Sequence, residues 1–108
     1  MKKFTDYLAT LESSEHIQKI ELFDAGGSLA GAIENKPGSQ GSVKVYHHLF
    51  KKWGSINKDA AKDGLKIYAE HTQDAEENPG KHPNIDRLFS VIETGSPLTV
   101  SIITNKSN

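Results

Sequence analysis

Ile17-Gln18-Lys19-Ile20-Glu21-Leu22-Phe23-Asp24, then Ala25-Gly26-Gly27-Ser28, then Leu29-Ala30-Gly31-Ala32-Ile33-Glu34: this stretch decides the fold class. Ile20 and Leu22 alternate with Lys19 and Glu21, the period of a half-buried strand, and Asp24 to Ser28 is a run of turn formers. A hairpin follows. Its returning arm sets Leu29, Gly31 and Ile33 on one face and Ala30 and Ala32 on the other. Two strands joined this tightly pair antiparallel, because a parallel pair needs a long crossover between them.

Outward from the hairpin the pattern is helical. Phe4, Tyr7, Leu8 and Leu11 predict a short helix from Phe4 to Glu12. On the other side, Asn35 to Gly41 breaks the chain, Ser42 is an N-cap residue, and Val43 to Trp53 carries the stripe Tyr46, Leu49, Phe50, Trp53 before Gly54. A third helix opens at Asn57 and runs to about Glu77, with Ala61, Leu65, Tyr68, Thr72 and Ala75 along one side; Asn78-Pro79-Gly80 ends it. His82-Pro83 announces a fourth, with Ile85, Leu88, Phe89 and Ile92 at helical spacing up to Gly95. Leu98, Val100 and Ile102 then alternate with Thr99 and Ser101 as a last strand. Helices segregated from strands give an α+β fold over residues 1–108 as a single domain. The expectation is a small, mainly antiparallel three-stranded sheet of hairpin plus C-terminal strand, covered by three central helices, with a short N-terminal helix.

Charge narrows the function. Thirteen Lys+Arg against fourteen Asp+Glu leave a formal charge of -1, which argues against a nucleic-acid binder or a polybasic membrane binder. The chain has no cysteine, so disulfides, thiolate catalysis and cysteine-ligated zinc or iron–sulfur sites are excluded. The basic opening Met1-Lys2-Lys3 meets Asp6 and Glu12 before an apolar run forms, unlike a signal peptide, and no stretch is apolar enough to span a bilayer. A soluble, cytoplasmic protein without cofactor is the expectation.

The loop Asn35-Lys36-Pro37-Gly38-Ser39-Gln40-Gly41-Ser42 leads from a strand into a helix, and glycines at a helix start turn backbone N–H groups toward an anion. All of these residues but Pro37 are candidate ligand contacts, with Lys44 adding charge, and Gly41→Val should abolish binding if Gly41 needs a positive φ. The Gly-Lys-Ser/Thr ending of a P-loop is missing. The plain alternative is that Pro37-Gly38 makes a turn and Ser42 only caps.

The histidines carry the other candidate chemistry. His47 and His48 are adjacent on a helix and diverge, and His16 stands alone in a polar loop. His71 lies three residues before Asp74, at the spacing of a His oriented by a carboxylate. The Pro79-Gly80-Lys81 bend swings His82 back toward His71. If the protein is an enzyme, His71, Asp74, His82 and Asp86 are its catalytic set; a metal site is not expected without an HExxH pattern or a cysteine pair. Tyr46, Trp53 and Tyr68, at helical spacing, read first as core.

Three blocks resemble a known family. They are Ile33 to Ser42 with Val45-Tyr46, Tyr68-Ala69-Glu70-His71-Thr72, and Pro79 to Leu88. Together they are similar to a family of small bacterial proteins known only as a domain of unknown function, over about Ile17 to Ile92. The resemblance implies a bacterial, cytoplasmic, stand-alone domain and brings no activity with it. From the residues, the first expectation is a binding domain for a small anion or a protein partner, through Asn35 to Ser42 and the surface from Glu70 to Arg87. A small hydrolase or metal-assisted enzyme built on His71 is the second. The third is a homodimer or immunity-type interaction protein using the sheet's open edge and its uncharged back face, Thr99, Ser101, Ile103, Ala30 and Ala32, unless the N-terminal helix covers that face.

Overall fold

The computed structural model describes residues 2–105. β1 (Ile17–Phe23) and β2 (Leu29–Glu34) form the expected antiparallel hairpin. Asp24 closes it, its Oδ1 accepting the N–H groups of Gly26 at 2.9 Å and Ser28 at 3.0 Å while Gly27 turns at φ 86°. β3 (Thr99–Thr104) pairs antiparallel with the other side of β1, giving the strand order β2-β1-β3. On the inner face Ile20 sits between Ile33 and Ile102, and Leu22 between Gly31 and Val100.

Among the described residues five helices accompany this sheet: α1 (Phe4–Leu8), α2 (Gln40–Trp53), α3 (Lys58–Tyr68), α4 (Glu70–Glu77) and α5 (Pro83–Thr94). α2 lies on the sheet and α3 packs against both α2 and α5. The α+β architecture is as the sequence predicts, and so are the Asn57 cap, whose Oδ1 accepts the Ala60 N–H at 2.8 Å, and the left-handed Gly54 and Gly95 stops. Ile17, Ile20, Leu22 and Ile33 meet Val43, Tyr46, Leu49, Ile85 and Leu88 in one core. Gly64 lets α3 come this close, since a Cβ there would lie 2.7 Å from a Leu88 methyl and 2.9 Å from a Leu49 methyl.

Four expectations need correction. Leu29 does not share the face of Gly31 and Ile33: the register slips from Leu22↔Gly31 to Phe23↔Leu29, so Ala30 becomes the extra residue of a bulge and Leu29 turns outward, 58% exposed. The third helix is two, because Ala69 adopts φ 52°, ψ -118° and the Thr72 hydroxyl takes the Leu65 carbonyl at 2.5 Å. The N-terminal helix stops at Leu8, where the Thr10 hydroxyl bonds the Tyr7 carbonyl at 2.8 Å in place of a further turn. It lies against α2 and α3, so the outer face of the sheet is not its resting place.

Candidate functional site

Ser42 is not the cap of α2. The helix starts at Gln40, with Ser39 in the cap position and its hydroxyl turned back to the Glu34 carbonyl at 2.5 Å. Ser42 thus sits in the first turn, where its Oγ accepts the Tyr68 hydroxyl at 2.7 Å. Gly38, Gly41 and Ser42 form one wall of a cleft of about 300 Å³. Facing them are His71 on α4 and Lys81, His82, Pro83, Asn84 and Ile85 at the start of α5. The loop and the histidine segment, separated by a helix and more in sequence, meet across this space.

Phe4 closes the remaining side. Its ring stacks on Tyr68 with centroids 5.1 Å apart and meets His71 edge-on, also at 5.1 Å. Its N–H donates to Glu70 Oε1 at 2.7 Å, which holds the Glu70 carboxyl below its ordinary range. Gly41 is needed here for space and not for dihedral freedom, since its φ is not positive and a Cβ would come within 3.3 Å of the Phe4 ring. The positive φ of the loop belongs to Gly38, at 96°.

His71 and His82 come together, ring centroids 5.7 Å apart. Asp74, however, orients the other one: its Oδ2 lies 2.6 Å from His82 Nε2 and 3.0 Å from Lys81 Nζ. These bonds, His82 first, hold the Asp74 carboxyl down at about 2. A reach of eight residues brings His82 to Asp74 because the Asn78-Pro79-Gly80 turn folds α5 back on α4. Asp86 leaves the candidate set, its Oδ2 accepting the Gly80 N–H at 2.9 Å and so fixing the same turn. Beneath the start of α5, the buried Tyr46 hydroxyl donates to the Asn84 carbonyl and Arg87 donates to Asn84 Oδ1 at 2.8 Å. Burial pushes the Tyr46 hydroxyl up to about 12 and Tyr68 further still, so both remain proton donors.

Other candidate residues serve the fold. Asn35 Nδ2 donates to the Ser14 and Ile17 carbonyls at 3.0 and 2.7 Å, tying the hairpin exit to its entry. Lys36 pairs with Glu34 at 3.0 Å, and Gln40 faces a separate hollow with Lys44 and Ser13. His16 is not isolated: it meets His47 edge-on at 5.4 Å. His47 is buried, with Nδ1 unpartnered, and burial lowers its proton affinity. Among the described residues, no three His, Asp or Glu side chains gather closely enough to hold a metal ion, and no helix is long and apolar enough to cross a membrane.

Residues 4–102 match the model of a family described as "uncharacterized protein conserved in bacteria (DUF2322)". The chain belongs to this bacterial family. No curated protein and no solved structure matches it. The family brings no chemistry to the cleft, which therefore rests on its own residues.

Sequence reasoning missed Phe4, and it took in Lys81 and Asn84 only as part of the surface from Glu70 to Arg87. Phe4 reads as one member of an apolar stripe, and nothing local says that its ring crosses to Tyr68 and His71. Lys81 and Asn84 flank the one signal that was available, His82-Pro83 at a helix start.

Proposed function

We propose that this domain binds a small anion, through a phosphate or carboxylate group, in the cleft between α2, α4 and α5, without catalysing a reaction on it. One observation carries the reading. Two helix N-termini line the same cleft, and among the described residues the N–H groups of Gly41, Ser42 and Asn84 have no backbone acceptor. Helix starts bring unpaired donors and partial positive charge, and here both supply them to one space. Lys81, His71 and His82 add side-chain donors at the rim, while Asp74, engaged with Lys81 and His82, turns its charge to them.

The hydrolase reading keeps one supporting feature, the 2.6 Å contact of Asp74 with His82, and would centre on His82 in place of His71. Among the described residues no hydroxyl is hydrogen-bonded to His82, and the Ser42 oxygen accepts from Tyr68 instead. Binding is the simpler use of the donors. Titration with inorganic phosphate, followed by amide NMR, tests it: the shifts are expected at Gly41, Ser42 and Asn84, and Lys81→Ala should weaken binding about 3- to 10-fold, the range of one exposed charge-assisted hydrogen bond. Shifts scattered over the surface, or none at these three amides, would refute the proposal.

A further inference from the structure

β3 is an open edge of the sheet, and its backbone has a definite parity. Asn105, the residue after β3, donates its N–H to His16 at 2.9 Å, toward β1. Leu98, the residue before it, exchanges both of its backbone bonds with Ile56, at 2.9 and 3.0 Å, on the opposite side. Backbone groups alternate sides along an antiparallel strand, so Thr99, Ser101 and Ile103 turn to β1 while Val100, Ile102 and Thr104 turn outward. Among the described residues, those three outward residues make no backbone hydrogen bond beyond the strand pairing with β1.

The two edges are guarded differently. β2 carries a bulge, a glycine and, at its end, Glu34 paired with Lys36 at 3.0 Å, all of which discourage a further strand. β3 carries no charge, no proline and no bulge of its own. We infer that β3 pairs antiparallel with β3 of a second copy of this chain across a two-fold axis at Ile102, making one continuous six-stranded sheet.

The register follows from the parity. Ile102 lies opposite itself and Val100 opposite Thr104, so every outward donor finds an outward acceptor, with about six hydrogen bonds across the seam by the antiparallel rule. On the inner face the half-buried Ile102 side chains meet each other; on the outer face Ile103 lies beside Ser101. No like charges are opposed, because both strands are neutral. A second copy fits this edge for that reason: the same short neutral strand supplies both halves of the pattern. A single strand seam buries less than the ~1,600 Å² of a standard interface, so the dimer is weak and assembles in the micromolar range or above.

Sedimentation equilibrium of the full chain from micromolar to millimolar concentration tests this, together with hydrogen exchange at both ends of that range. The expected result is a monomer–dimer equilibrium in which the amides of Val100, Ile102 and Thr104 gain protection as concentration rises. Thr104→Pro removes an outward N–H that the monomer does not use and should weaken the dimer about tenfold or more. A mass that stays monomeric throughout overturns the inference. So does a dimer that leaves the Ile102 amide unprotected, a reading that the unsubstituted protein supplies even if Thr104→Pro does not fold.

Discussion

Asp74 serves three neighbours at once: His82, Lys81 and the Asn78 amide, which donates to its Oδ1 at 2.9 Å. Its carboxyl falls from an ordinary 3.8 to about 2, the His82 bond being the largest cause. A group whose folded value is depressed stabilises the fold above its unfolded value, and that contribution is lost as pH falls through the folded one. Asp74→Asn should therefore be less stable than the parent at neutral pH, with the gap closing between about pH 4 and pH 2. Urea unfolding of both proteins over that range checks it. A gap that stays constant down to pH 2 would show that the carboxylate charge is not what holds the α4–α5 turn.

Ala69 governs the element scale. A non-glycine residue at φ 52° carries strain of about 1 kcal/mol or more, kept because it turns Tyr68 into the core and releases α4 toward Phe4. Ala69→Gly should raise stability by roughly 0.5–1 kcal/mol in chemical denaturation, less if the extra freedom of the unfolded chain offsets the gain. A loss above 1 kcal/mol would mean that the Ala69 methyl packs better than its backbone suffers. Residue types did not announce this break. Glu70 to Glu77 continues the helical spacing of Leu65 and Tyr68 without a glycine or proline between, whereas hairpin, caps and stops were legible because Asp24-Ala25-Gly26-Gly27, Asn57, Gly54 and Gly95 are local signals. The site was half legible for the same reason. His82-Pro83 and Gly38 to Ser42 show themselves along the chain, but the choice of His82 over His71 by Asp74 depends on how a turn folds one helix onto another, and spacing alone favoured the wrong partner.

At the scale of the molecule, α1 is a weakly anchored element. None of its residues is buried: Phe4, Tyr7 and Leu8 pack only at the margin of the core, and Phe4 adds the stack on Tyr68, the edge contact with His71 and the hydrogen bond to Glu70. Elements with little buried apolar contact open locally well below the global free energy. Native-state hydrogen exchange should find the α1 amides exchanging far faster than those of β1 and α2, and Phe4→Ala should speed them further while leaving the slowest core amides within about 1 kcal/mol of the parent. Loss of core protection in Phe4→Ala would make α1 part of the cooperative fold.

The strand order β2-β1-β3 also has a consequence in time. β1 gains its hairpin partner within a few residues of synthesis, but its other flank waits for Thr99 to Thr104, the last element among the described residues. Ile17 and Thr104 lie far apart in the sequence and side by side in the sheet. Such a closure spans the whole stretch from β1 to β3, an entropic demand that slows folding relative to a helical protein of the same size. During translation the hairpin and the helices emerge with one flank of the central strand bare. The sheet is completed only when the final strand has left the ribosome.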